Sequence, residues 1–294
     1  MKELVVISGK GGTGKTSLVA SFAALARDAV LADCDVDAAD LHLVLAPEVE
    51  RREEFRSGHG AVIRQGDCVC CGACLDHCRF EAVKKESQAT GETAFSIDPF
   101  ACEGCGVCVW FCPVGAIDFP ERLSGEWYVS RTRFGPMVHA RLGIAAENSG
   151  RLVSVVRKEA RRIALEQVKS LILVDGPPGI GCPVIASVTG ASLVLAVTEP
   201  TLSGEHDLER VLDLARHFSV PAAVCVNKWD INAGMALRIE ESAAGAGVAV
   251  VGRIPYDHAV TQAQVSGKPV VEFDDGPAAS AIRQVWENLC KTAL

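Results

Sequence analysis

The chain has 294 residues, 49% of them hydrophobic but only 5% aromatic, and a formal net charge of −8. That length holds one large or two smaller domains and the composition suits an aliphatic α/β core, while the acidic balance argues against nucleic acid and anionic membrane as main partners. The first apolar run, Leu4–Ile7, is too short for a secretion signal, and no stretch approaches the roughly 18 apolar residues of a membrane span, so a cytoplasmic compartment is expected. Thirteen cysteines could be read as a disulfide framework, but here they cluster, which points to metal in a reducing compartment.

In chain order, Leu4–Ile7 reads as a buried strand and runs into Ser8-Gly9-Lys10-Gly11-Gly12-Thr13-Gly14-Lys15-Thr16-Ser17. Gly9, Gly14, Lys15 and Thr16 fit G-x-x-x-x-G-K-[ST], and Leu18, Phe22, Leu25 and Ala26 then recur at helical spacing. A strand, a glycine loop and a helix N-terminus gather the backbone N–H groups of Gly11 through Ser17 around a phosphate. Lys15 is expected on the β and γ phosphates, and the Thr16 hydroxyl on Mg²⁺. Ala29–Ala32 reads as a second strand ending in the acidic run Asp33-Cys34-Asp35-Val36-Asp37, at the strand end where open α/β sheets keep their ligand chemistry. Cys34 is expected as a small buried side chain. Pro47–Gly60, charged and then glycine-containing, reads as a linker.

Two cysteine runs follow, Cys68-x2-Cys71-x2-Cys74-x3-Cys78 and Cys102-x2-Cys105-x2-Cys108-x3-Cys112-Pro113. Zinc ribbons use paired C-x2-C, so repeated x2-x2-x3 spacing favours iron–sulfur over zinc. Arg79 stands where Pro113 stands in the second run, and Cys70 is surplus to the pattern. Beyond the runs, Trp127–Ala140 reads as a strand or hairpin. Asn148-Ser149-Gly150 opens a helix bearing Leu152, Val155, Val156, Ile163 and Leu165, with Arg157, Lys158, Arg161 and Arg162 expected on a solvated face. Leu171–Val174 is a buried strand closed by Asp175, the pattern that holds Mg²⁺ in P-loop NTPases. Further strands are expected at Leu193–Val197 and Ala222–Val226, with a helix over Gly204–His217 between them. Asn227-Lys228-Trp229-Asp230 matches N-K-x-D, a guanine-reading sequence, so the residues alone leave GTP open beside ATP. Cys225 and Cys290 are expected in the core, Cys182 as a packing or interface thiol. A last helix over Pro277–Ala293 should pack its stripe of Ile282, Val285, Trp286, Leu289 and Cys290 on the core rather than on a membrane.

Lys10, directly after the first glycine of the loop, makes the chain resemble the MinD/ParA/Mrp/nitrogenase iron protein group of P-loop ATPases. The resemblance implies a doubly wound, mostly parallel sheet of about seven strands and a homodimer sandwiching two ATP molecules. It casts Lys10 as the lysine that crosses to the partner's nucleotide, Lys15 as the phosphate lysine and Asp35 as the residue orienting the attacking water. Asp33 matches a second acidic position, Gly179 the glycine that senses the γ-phosphate, and Asn227 and Pro255 the base side, on adenine. The cysteine runs resemble bacterial two-cluster ferredoxins, in which the fourth cysteine of each run serves the other cluster. By that likeness Cys68, Cys71, Cys74 and Cys112 hold one [4Fe–4S] cluster, and Cys102, Cys105, Cys108 and Cys78 the other. The implied organisation is an ATPase domain over residues 1–59 and 121–294, interrupted by a ferredoxin domain over 60–120. A redox or cluster-acceptor protein is the implied partner, and a MinD-like positioning switch with structural clusters is a further reading of the same resemblance.

Overall fold

The computed structural model describes residues 1–87, 93–143 and 148–292. In chain order the elements are β1 (Lys2–Ser8), α1 (Lys15–Ala26), β2 (Ala29–Asp33), α2 (Leu41–Leu45), β3 (Glu48–His59), β4 (Val62–Ile63), α3 (Ala73–Asp76), β5 (Val83–Ser87), β6 (Thr93–Ile97), α4 (Val107–Phe111), β7 (Ile117–Asp118), β8 (Glu121–Thr132) and β9 (Gly135–Leu142). They continue as α5 (Ser149–Glu166), β10 (Leu171–Pro178), α6 (Cys182–Val188), β11 (Leu193–Thr198), α7 (Leu202–His217), β12 (Ala222–Asn227), α8 (Ala233–Gly245), β13 (Ala249–Ile254), α9 (His258–Val265), α10 (Val270–Phe273) and α11 (Pro277–Thr292). Ala293, expected at the end of the last helix, lies outside the described residues.

The chain divides into two compact units, one of residues 1–53, 126–142 and 149–294, the other of residues 54–125 with 143–148; the division falls within β3 and β8. The sheet order is β13-β12-β11-β1-β10-β2-β9-β8-β3, and β13 through β9, all in the first unit, pair in parallel. Its central strands are buried on both faces, which is why they read as unbroken aliphatic runs in the sequence. Nine strands replace the seven or so expected of such a fold. The hairpin expected over Trp127–Ala140 is β8 with β9, and the strand the sequence did not show is β3, which occupies most of the stretch expected to be a linker. Its alternation is masked by charge: of its twelve residues only Phe55 and Ser57 are buried. The rest are largely Glu and Arg, an edge-strand composition that discourages pairing with another chain. Several are matched across the fold, Arg51 with Glu159 and Arg52 with Glu126, both without a gap, and Glu48 with Arg131 at 2.6 Å.

The cationic run on α5 is not all solvated. Arg157 has a side chain only 5% exposed. It donates from Nε to Glu3 Oε1 at 2.6 Å and from Nη1 to the carbonyls of Ala186 and Thr189 at 2.5 and 2.9 Å. Arg161 donates to Glu3 Oε2 at 2.8 Å. A charge on β1 thus recruits two of the four cations, leaving Lys158 and Arg162 exposed, and Leu165 is exposed although it was counted with the apolar face. Arg157→Ala should destabilise the protein by about 3 kcal/mol, because it strands a buried carboxylate; urea denaturation of variant and wild type gives the difference, and a value under about 1 kcal/mol would mean that Arg161 alone satisfies Glu3. Cys34 and Cys225 are buried, but Cys182 and Cys290 are exposed. On α11 the inward positions go to Ile282, Val285 and Leu289, and the Trp286 ring packs against Phe22, tilted by 34° with ring centroids 5.1 Å apart. Cys290, expected on that stripe, is exposed instead.

The second unit has two small antiparallel ladders, Val62↔Asp118 with Ile63↔Ile117, and β5 with β6. Its own core joins Ala61, Ile63, Cys74, Val83, Phe95 and Ile117. The two cysteine runs repeat in backbone as well as in spacing. Cys70 and Gly104, Gly72 and Gly106, and Glu81 and Gly115 are matching positions, and all six have left-handed φ between 54° and 81°.

Candidate functional site

The loop between β1 and α1 opens a cavity of about 560 Å³ at the C-terminal end of the parallel strands, where ligands bind in open α/β sheets. Gly11, Gly12, Gly14, Lys15, Thr16 and Ser17 line it, with Asp35 and Asp40 from the loop after β2, Asn227 and Lys228 after β12, and Pro255 and Tyr256 after β13. Gly14 has φ of +90°, and a Cβ there would lie 2.5 Å from Asn227 Nδ2, so the loop and the end of β12 fit only because this residue is glycine.

Two buried carboxylates stand behind the loop. Burial, reinforced by Asp175, raises the Asp33 carboxyl well above its ordinary value. Burial also pushes Asp175 up to about 7, although the Thr16 hydroxyl and the Lys15 ammonium draw it the other way. Both oxygens of Asp175, Oδ2 of Asp33 and Oγ1 of Thr13 are buried without a hydrogen bond of ordinary geometry. Orphaned oxygens beside a phosphate loop fit a hard, oxygen-seeking cation such as Mg²⁺. Asp33 Oδ1 accepts from the Asp35 N–H at 3.2 Å, which fixes the position of the second carboxylate. Burial raises Asp35 too, against the pull of Lys15.

Lys10 does not line this cavity. Its ammonium pairs with Glu199 at 3.2 Å and donates to Thr201 Oγ1 at 3.4 Å and Ser203 Oγ at 3.5 Å. Gly179 also lies off the cavity wall, in left-handed backbone with φ of +89°, its N–H donated to Ser8 O at 2.8 Å. Glu199 and Lys228 went unassigned in the sequence. Glu199 pairs with Lys228 as well as Lys10, and these two cations lower its carboxyl although burial opposes them. Lys228 further donates to Gly12 O at 3.1 Å. The signal for Glu199 was a carboxylate just past a strand's C-terminal end; that for Lys228 was its place in N-K-x-D. Asn227 donates to Thr13 O at 2.8 Å and accepts from the Lys228 N–H at 3.0 Å, so it ties the base side to the phosphate loop. Asp230 Oδ1 is occupied by the Tyr256 N–H at 2.7 Å, and Asp230 is not on the cavity wall.

In the cysteine-rich unit Cys68, Cys71, Cys74 and Cys112 line one small cavity, and Cys78, Cys102, Cys105 and Cys108 line another. Each cavity thus draws three thiols from one run and the fourth from the other. Among the described residues no three His, Cys, Asp or Glu side chains are grouped to hold a single metal ion. Four thiols around a cavity fit a cluster whose irons are each held by one sulfur. The fourth cysteines are also furnished with amide donors: Ala116 N–H donates to Cys112 Sγ at 3.2 Å. At Cys78 burial opposes ionisation, but the N–H groups of Val83, Phe80, Ala82 and Glu81 bring the thiol below its ordinary value. Cys70 lies on neither wall and contacts Thr93 O at 3.0 Å.

The chain is 30% identical over 292 residues to an uncharacterized protein of Methanocaldococcus jannaschii, covering 98% of this chain and 96% of that one. It is 23% identical over 314 residues to the iron-sulfur cluster carrier protein of Pyrococcus horikoshii, covering 98% and 85%. A stretch of 63 residues, 21% of the chain, is 32% identical to 74% of a 7Fe ferredoxin of Hydrogenibacillus schlegelii. The crystal structure of the Pyrococcus furiosus cell division ATPase MinD superposes with a TM-score of 0.60 at 19% identity over 99% of both chains, a likeness of fold. The CobQ/CobB/MinD/ParA nucleotide binding domain family matches residues 4–270, and the chain belongs to that family.

Proposed function

We propose that the protein is an ATPase whose nucleotide state is coupled to two [4Fe–4S] clusters held by an inserted ferredoxin domain, for electron transfer to a partner protein. The observation that carries this reading is the pair of four-cysteine cavities, each completed by the other run, in one chain with a phosphate-loop cavity. The domain of residues 60–120 would interrupt an ATPase of residues 1–59 and 121–294. Thr16 and Asp175 would hold Mg²⁺, which when bound offsets charge on the phosphates. Lys15 and the N–H groups of Gly11 through Ser17 bind the β and γ phosphates, Asp35 orients the attacking water, and Gly179 senses whether the γ-phosphate is present. Lys10 serves the nucleotide of the second chain in a homodimer, and Asn227 and Pro255 sit on the base side. Cys68, Cys71, Cys74 and Cys112 hold one cluster, and Cys102, Cys105, Cys108 and Cys78 the other; bound clusters supply one-electron carriage.

Adenine is favoured over guanine because Asp230, the carboxylate that would read guanine, lies off the cavity wall and its Oδ1 accepts the Tyr256 N–H. ATP should therefore bind at least about tenfold more tightly than GTP, and Asp230→Ala should weaken both nucleotides alike. Isothermal titration with each nucleotide measures this; a variant that lost GTP binding alone would restore the guanine reading.

A second reading, a carrier that delivers iron–sulfur clusters, is favoured by the likeness to the carrier protein of Pyrococcus horikoshii. Loaded protein incubated anaerobically with ATP and an apo-ferredoxin separates the two. A redox protein keeps both clusters through about a hundred turnovers, roughly ten seconds at a median enzyme rate of about 10 s⁻¹, whereas transfer of even one cluster to the acceptor would favour the carrier.

A further inference from the structure

The two cysteine cavities repeat each other residue by residue. Both lie in the cysteine-rich unit. At the sequence offset that carries Cys68 onto Cys102, every residue lining one cavity has a counterpart lining the other. Thiols match thiols, Cys71 with Cys105, Cys74 with Cys108 and Cys112 with Cys78. Apolar positions stay apolar, as Ile63 matches Ile97, Phe95 matches Ala61 and Val114 matches Phe80. One position breaks the pattern. Val69 lines the first cavity, and its counterpart on the second is Glu103. Among the described residues no Lys or Arg lies on either wall, so no cation there offsets the carboxylate. Arg79 and Glu81 flank the second cavity's Cys78 along the chain, but they are opposite in charge and off the wall.

We propose that Glu103 is a tuning residue for one cluster: its carboxylate lowers the reduction potential of the cluster held by Cys102, Cys105, Cys108 and Cys78, and biases an electron shared between the two toward the cluster held by Cys68, Cys71, Cys74 and Cys112. The inference rests on the two-cluster reading above and deepens it. Reduction adds an electron to a group whose thiolate ligands are already anionic. A negative charge on the wall repels that electron, whereas Val69 carries no charge. Glu103 is exposed, so water and salt weaken its field and the effect is modest. Amides act in the other direction. The Ala116 N–H at Cys112 has its counterpart in that of Ala82 at Cys78, but Cys78 also receives the N–H groups of Phe80, Glu81 and Val83. Hydrogen bonds to a ligand sulfur stabilise added charge. The carboxylate's part is therefore read by removing it, not by comparing the two clusters of the wild type. Its consequence is directional: whatever the amides set, Glu103 makes passage of an electron from the second cluster to the first more favourable.

The test uses the anaerobically loaded full-length protein, titrated electrochemically with EPR detection at one neutral pH. Iron analysis of each protein first confirms about eight irons per chain. Glu103→Gln should make reduction of one cluster about threefold more favourable, or ~28 mV for one electron, and leave the other unmoved. Val69→Glu, which puts a carboxylate at the matching place, should lower the other cluster by a similar amount. The double variant should show both changes at once. A charge effect must also be screened: the difference between wild type and Glu103→Gln should shrink as ionic strength rises from about 0.01 M to 1 M, where the Debye length falls from ~30 Å to ~3 Å. A purely structural disturbance would not follow salt. Eight irons with both potentials of Glu103→Gln unmoved, or a shift indifferent to salt, would overturn the tuning role and leave the two-cluster reading standing. Iron well below eight in wild type would overturn that reading and this inference with it. Should Glu103→Gln fail to load, Val69→Glu decides: an unmoved potential there would show that a carboxylate at this position does not act on the cluster.

Discussion

Lys10→Ala should hydrolyse ATP at no more than about a thousandth of the wild-type rate while binding it nearly as well, since one added cation in related NTPases contributes about 10³–10⁵. The structure gives the assignment a physical basis. Lys15 faces the phosphate cavity of its own chain, but Lys10 is off its wall and held by Glu199, with Thr201 and Ser203 beside it. A loop lysine that does not reach its own cavity either serves the loop's structure or serves another chain. Lys15→Ala should accordingly weaken nucleotide binding itself. Mixing discriminates the remaining alternatives. A Lys10→Ala chain keeps Asp35, and an Asp35→Asn chain keeps Lys10, so a mixed homodimer has one complete site. Statistical mixing of the two inactive variants should restore about a quarter of the wild-type rate. Hydrolysis by Lys10→Ala at the wild-type rate, or no recovery on mixing, would refute service in trans.

The cysteine-rich unit makes a second large effect accessible. Anaerobically isolated protein should hold close to about eight irons per chain, as two [4Fe–4S] clusters require. The cavities further predict which thiols act together. Cys74 and Cys112 line one cavity although they come from different runs, and Cys108 lines the other. Cys74→Ala and Cys112→Ala should each remove the same cluster, so the double variant should retain as much iron as either single one. Cys108→Ala combined with Cys112→Ala should lose both clusters. Groups that act as one unit are non-additive, and this is the readout. Iron analysis and EPR of the five proteins suffice. An iron content of about four in wild type, zinc in place of iron, or loss of both clusters in the Cys74/Cys112 double variant would remove the interleaved assignment.

The parts of this protein legible in its sequence are those fixed by local chemistry. A phosphate loop needs glycines, a lysine and a hydroxyl at set spacing because backbone and ligand meet within a few residues, and Gly11 through Ser17 supply all of them. Thiolate runs are legible for the same reason, since one loop wraps most of one cluster. Buried strands such as β1, β10 and β12 carry unbroken aliphatic runs because helices cover both faces. The resemblance to known ATPases and ferredoxins also rested on these local signals.

What the sequence did not reveal depends on neighbours distant along the chain. The stretch before the first cysteine run resembled a linker because its charges hide a strand, and only pairings such as Glu48 with Arg131 show what those charges meet. Arg157 resembled a surface cation until Glu3, from the first strand of the chain, was seen against it. Lys10 gave no sign of Glu199, nor Leu142 of Val36, because an ion pair or hydrogen bond between remote residues has no period and no motif. The sequence by itself determined which phosphate and sulfur chemistry the chain can carry, because that chemistry is built from adjacent residues. The tertiary structure alone decided which carboxylates are orphaned and which lysine lies off its own cavity, because burial and long-range pairing exist only once the chain has folded.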